Sequence, residues 1–200
     1  LNPSSAASDV YKRQKEKLPI LVIGEGTNIV LPDKFDGITV KPMFDEINID
    51  NSNNTISVGA SVNWHKLVLT MIEKNIYGFE NLSLIPGSVG AAPIQNIGAY
   101  GQEISNLIHE VHCFDYISGN FTKYTNKECK FSYRDSFLKN NNTIIYKVIF
   151  KSDNPKLLNL EYQSVQNHIN DNDVNVSKLD LNEVSNVTVS YTHLTLPTTD

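Results

Sequence analysis

Apolar residues come in short bursts along the first three quarters of the chain, and the bursts predict more strand than helix. LPILVIG, residues 18–24, is a continuous apolar run that stops at glycine, the pattern of a short buried strand. Brief strands are predicted again at 37–41 and 46–50. Asn51-Ser52-Asn53-Asn54 is a turn signal, and TISVGA at 55–60 alternates as a strand does. One helix is clear. Trp64, Leu67, Val68, Met71 and Ile72 recur at helical spacing and form one apolar face, with Ser61 placed to cap it and Gly78 just beyond its end. Residues 107–117 read as a strand turned by Ser118-Gly119-Asn120 into FTKY. Thr125 and Glu128 have capping-box spacing for a short helical turn, and TIIYKVIF at 143–150 is a last strand. Beyond Lys151, Asn and Asp accumulate, with a second start of this kind at 180–183. Short strands, one helix, then more strands predict an α+β domain with mixed pairing rather than a doubly wound sheet. Residues 1–14 and 188–200 are read as foreign-looking tails outside the fold, with genuine flexible termini as the alternative.

Composition narrows the classes. The 200 residues, 40% hydrophobic and 20% charged, suit one ordinary domain, or one domain and part of another. A net charge of −5 argues against a nucleic-acid partner held through phosphates. The chain has no apolar run of the roughly 18 residues that would mark a membrane span. It also lacks the apolar stretch of a secretory signal near its start. A cytoplasmic, monomeric protein is expected. Cys113 and Cys129 are not a CxxC pair and read as idle thiols in a reducing compartment. His109 and His112 would point to opposite faces of a strand, which argues against a shared metal.

The candidate chemistry lies in two small-residue stretches. GEGTNIV follows the first strand with Gly24, Glu25, Gly26, Thr27, Asn28 and Ile29. Ile29 stands where the dinucleotide fingerprint needs its third glycine, and neither stretch has the Gly-Lys-Ser/Thr of a Walker loop. What remains is anion binding by bare backbone, which glycine permits by letting N–H groups approach a phosphate. The second stretch is far longer: Pro86, Gly87, Ser88, Val89, Gly90, Ala91, Pro93, Gln95, Asn96, Gly98, Ala99, Tyr100 and Gly101. Loops of that length are usually functional or disordered. Two such loops suit an extended ligand such as a dinucleotide, although each alone could be only a tight connection.

GEGTNIV, the stretch from Ser57 to Trp64, GFENLSLIPGSVGAAPIQNIGAYG and KECKFSYRDS occur in an order that resembles the UDP-N-acetylenolpyruvoylglucosamine reductase family. The resemblance runs from about Leu18 to Phe150. It implies an α+β, FAD-binding domain of the p-cresol methylhydroxylase / vanillyl-alcohol oxidase type at 15–152, with the start of a substrate-binding region at 153–187. It implies FAD as cofactor, NADPH as electron donor and a UDP-sugar substrate. GEGTN would hold the pyrophosphate and 86–101 would line the flavin. Gln95 and Asn96 could bond the ring edges, or only the backbone of their own loop.

By the same resemblance, Arg134 in FSYRDS is the arginine that stabilises an enolate as hydride reaches the enolpyruvyl group, where an always-charged planar donor is apt. Asp135 or Tyr133 would orient it, and Tyr133 is also a candidate substrate contact. Tyr162 in LEYQSV resembles the nucleotide-covering tyrosine of the longer subtype, although Gln163 replaces the usual glycine after it. The family's first βα stretch and its proton-donor serine domain have no counterpart in the sequence, so a fragment inactive by itself is expected. The alternatives are another FAD oxidoreductase of the same fold and a non-catalytic flavin- or nucleotide-binding module.

Overall fold

A computed structural model of the chain describes residues 18–172, 176 and 179–194. The calls on residues 1–14 and 195–200 lie outside the described residues. Two short parallel strands, β1 (Ile20–Val22) and β2 (Ile38–Val40), form a small sheet on their own. The main sheet has five strands: β3 (Ile47–Asp50), β4 (Thr55–Gly59), β7 (Ile108–Asp115), β8 (Asn120–Thr125) and β9 (Thr143–Lys151). Their order is β3-β4-β9-β7-β8 and every pairing is antiparallel. The small hairpin β5 (Gly98–Ala99) and β6 (Gln102–Glu103) lies within the second small-residue stretch.

The helix α1 (Trp64–Glu73) buries the predicted stripe. Trp64 packs with Phe79 and Phe150, and Ile56, Val58, Val111 and Val148 complete the core beneath it. The Trp64 indole N–H donates to the Leu82 carbonyl at 2.8 Å. The cap is Asn63, whose side chain accepts the Lys66 N–H at 3.0 Å, and not Ser61. Ser61 sits two positions before the cap, too early for its hydroxyl to accept the N–H groups of the first turn. The chain leaves α1 through Asn75 in the left-handed region, φ 55°, three residues before Gly78.

Thr125 and Glu128 make the bonds of a capping box around a tight turn that does not propagate into a helix. The corresponding pair Asp180 and Glu183 does open a helix, α3 (Leu181–Leu194), which runs across the boundary expected at 187/188. A further helix, α2 (Gln163–Asp171), was not predicted. Val165, Ile169 and Val187 join α2 to α3 in a second small cluster, packed against Tyr100.

Candidate functional site

The long small-residue stretch is ordered because it is hydrogen-bonded along its length to what precedes it. Trp64 N–H donates to Gly87 O, Val89 N–H to Val62 O and Gly90 N–H to Ala60 O, all at 2.9 Å. At Gly90 a Cβ would stand 2.6 Å from that of Ala60, so only glycine lets the two strands of chain approach this closely. At Gly87 φ is +121°, with the Thr27 hydroxyl beside it. The chain then makes a 3-10 turn at Ala92–Gln95.

This arrangement brings both stretches to one cavity of about 1270 Å³. Gly24, Glu25, Gly26, Thr27, Asn28 and Ile29 line one side. Pro86, Gly87, Ser88, Gly90, Ala91, Gln95, Asn96, Gly98, Ala99, Tyr100 and Gly101 line the other. Val89 and Pro93 do not: Val89 is fully buried in the core and Pro93 is buried at the start of the 3-10 turn. The two stretches touch through Asn28, which donates to Gln95 Oε1 at 2.9 Å. The Glu25 carboxylate is held by Asn63 Nδ2 at 3.1 and 3.3 Å, which ties the first loop to the cap of α1.

Tyr133, Arg134 and Tyr162 line the same cavity. Arg134 occupies a tight turn closed by reciprocal Ser132–Asp135 backbone bonds of 3.0 and 3.2 Å, and its φ is +51°. Its guanidinium lies 5.8 Å from the Tyr133 ring centroid. Asp135 pairs instead with Lys139 at 3.4 Å, one helical turn on, so of the two expected orienting residues only Tyr133 lies against Arg134. Tyr162 packs edge-on against Tyr100 at 5.6 Å.

Over this geometry the chain matches the FAD binding domain family at residues 7–123. The chain belongs to that FAD-binding family. It is 36% identical over 176 residues to the UDP-N-acetylenolpyruvoylglucosamine reductase of Bdellovibrio bacteriovorus, covering 85% of this chain and 52% of that protein. The chain thus spans about half the length of that relative. Among solved structures it is similar to UDP-N-acetylenolpyruvylglucosamine reductase from Thermus caldophilus, with a TM-score of 0.61, 24% identity, and 84% and 58% of the two chains covered. It is also similar to 6-hydroxy-D-nicotine oxidase from Arthrobacter nicotinovorans, with a TM-score of 0.52, 18% identity, and 72% and 33% covered. The α+β fold of the p-cresol methylhydroxylase / vanillyl-alcohol oxidase type, expected from the sequence, is the fold of this FAD-binding domain.

The residues fit a flavin dinucleotide. The two loops present mostly small, uncharged residues, and the Glu25 carboxylate of the first loop is tied to the Asn63 amide. Asn96, however, is not a free ligand. Its amide donates to Glu103 Oε2 at 2.8 Å and to Ser132 O at 3.1 Å, and accepts the Ser105 N–H at 3.1 Å. Sequence reasoning missed Glu103 and Lys139, which also line the cavity, because no motif marks them.

Other predicted features lie apart from the site. Cys113 and Cys129 are free and buried, and burial pushes both thiols up to about 12. The strands β7 and β9 break register between Ile108 and Glu110. His109 falls in that irregularity, and, contrary to the opposite faces expected of a regular strand, both imidazoles reach the Glu110 carboxylate, at 3.5 and 2.8 Å. Among the described residues no group of three or more His, Cys, Asp or Glu side chains is placed to hold a metal ion. Nor is any described helix long and apolar enough to cross a membrane.

Proposed function

We propose that this chain forms the FAD site of a UDP-N-acetylenolpyruvoylglucosamine reductase, which uses NADPH to reduce the enolpyruvyl UDP-sugar to UDP-N-acetylmuramate in the cytoplasm, for peptidoglycan synthesis. The observation that carries the reading is the convergence of GEGTN, residues 86–101 and Arg134 on one cavity. The resemblance to reductases named for that reaction supports it.

In this reading Gly24, Gly26, Thr27 and Asn28 hold the pyrophosphate with backbone and side-chain donors. The walls at Gly87, Gly90, Ala91, Gly98 and Ala99 leave room for the ring system, and Gln95 faces its edge. FAD, when bound, supplies the hydride relay between NADPH and the enolpyruvyl carbon. Hydride arriving at the terminal carbon leaves negative charge on the carbon beside the carboxylate. Arg134 stabilises that charge through its fixed fork of donors, before a proton is added. Tyr133 supports the guanidinium, and Tyr162 closes over the nucleotide end of the substrate.

The test is to add FAD to the purified chain, remove the excess and record the visible spectrum. Retained flavin is expected for both wild type and Arg134→Ala. NADPH oxidation dependent on the enolpyruvyl UDP-sugar, assayed in the relatives' full-length form, should fall about 10²–10³-fold in Arg134→Ala. A chain that is folded by circular dichroism yet keeps no flavin overturns the reading.

A further inference from the structure

Arg134 is exposed, and its guanidinium makes no ion pair among the described residues. Its place in the cavity therefore depends on the backbone turn that carries it. That turn is held on both flanks by the second small-residue stretch. On one flank Asn96 Nδ2 donates to the Ser132 carbonyl at 3.1 Å. On the other the Ser136 hydroxyl donates to the Ile94 carbonyl at 3.0 Å. Both Asn96 and Ser136 are 3% exposed, so both donor side chains are fixed within the fold.

Asn96 is itself locked. It sits at φ 43°, in the left-handed region that asparagine tolerates better than most residues. All of its amide hydrogens and its oxygen are used. The same side chain thus joins the wall of the cavity, the β5–β6 hairpin through Glu103 and the arginine turn. Residues 94–96 and 132–136 are about 40 positions apart in sequence and move as one unit if these bonds are kept.

We propose that Asn96 and Ser136 are positioning residues that couple the arginine turn to the cavity wall, so that ordering of that wall by the cofactor also orders Arg134. The proposal rests on the flavin reading above for its cofactor, and on geometry alone for the clamp.

Hydrogen exchange of the full chain over residues 130–137 tests it, in wild type, Ser136→Ala, Ser136→Thr and Asn96→Gly, with and without FAD. Glycine keeps the left-handed backbone at 96, and threonine keeps the hydroxyl at 136. In the free chain, exchange at 130–137 should rise about two- to tenfold in Ser136→Ala and Asn96→Gly, since each removes one hydrogen bond to that segment. Ser136→Thr should restore the wild-type rate, while β7 and β9 stay unchanged in all. FAD should protect 130–137 in wild type and protect it less in the two loosened variants. Unchanged exchange at 130–137 in both loosened variants overturns the clamp. A uniform rise across the sheet overturns it too, since that is loss of stability alone. If wild type retains no flavin, the cofactor reading fails, and the free-chain comparison still decides the clamp. If Asn96→Gly does not fold, the Ser136 pair decides it.

Discussion

Glu80 is the residue whose surroundings make the clearest statement about pH. It is 1% exposed, and its carboxylate accepts the Gly78 N–H at 2.7 Å. Burial raises its pKa above the ordinary 4.5, against the opposing pull of its own, the Gly78 and the Phe79 N–H groups. Between 4.5 and the raised value, the native chain holds a proton that the unfolded chain has released. Stability therefore falls as pH rises through that window. Glutamine keeps an oxygen for the Gly78 N–H and carries no charge, so Glu80→Gln should flatten this dependence. Urea midpoints of the two proteins should converge below pH 4.5 and separate above it, with the variant the more stable. A wild type that gains on the variant with rising pH would contradict this. Arg134 is a different kind of residue. A left-handed φ costs an L side chain about 1–2 kcal/mol, and the turn accepts that cost at the position where a cation faces the cavity.

At the scale of elements, α1 and the first loop share one residue. Asn63 caps the helix through its oxygen and holds Glu25 through its nitrogen. Asn63→Ala should therefore cost about 1 kcal/mol of stability from the lost cap. It should also weaken FAD retention, because Glu25 is freed to turn its charge toward the phosphates. Asn63→Asp keeps the cap but repels Glu25, so it should keep the stability and still weaken retention. Equal retention in all three proteins would remove Glu25 from the argument. The strands of the β1–β2 pair and of the main sheet were legible in the sequence to within one or two residues, whereas the β5–β6 hairpin was not, because it lies in a stretch read as loop. The cap was not, because Ser61 and Asn63 are both good cap residues and only the place where the helix begins, at Trp64, separates them. The helix α2 was hidden by polar composition: among its described side chains, Val165 and Ile169 alone are buried. The two loops were legible as a shared site from residue type. The role of Asn96 was not, since its partners Glu103, Ser105 and Ser132 are set by the fold.

The molecule as a whole has two cores of unequal size. The main one joins α1 to the five-stranded sheet through fully buried residues such as Trp64, Leu67, Val111 and Phe150. Among the described residues the second holds Val165, Ile169 and Val187, with Tyr100, Leu160 and Leu179 against it. Leu181 of α3 enters the main core, and beyond that contact the α2–α3 unit is attached to the rest of the fold by polar bonds. Ser83 and Ser185 hydroxyls meet at 2.7 Å, Tyr100 donates to Thr188 O at 3.2 Å, and Asn81 donates to both Tyr100 O and Asn159 O. Each net contribution is of the order of 1 kcal/mol, whereas each large side chain in the main core contributes about 1.5–3 kcal/mol. The unit carrying Tyr162 should therefore open without the sheet. Native-state hydrogen exchange should show amides of 163–171 opening well below the free energy of global unfolding, while central amides of β7 and β9 exchange only through it. Tyr100→Phe removes one of the polar attachments and should lower the opening energy of α2 with no change in β9. Equal protection of α2 and β9, in wild type and variant alike, would mean that the two cores unfold as one, and that Tyr162 reaches the cavity as a fixed wall and not as a cover.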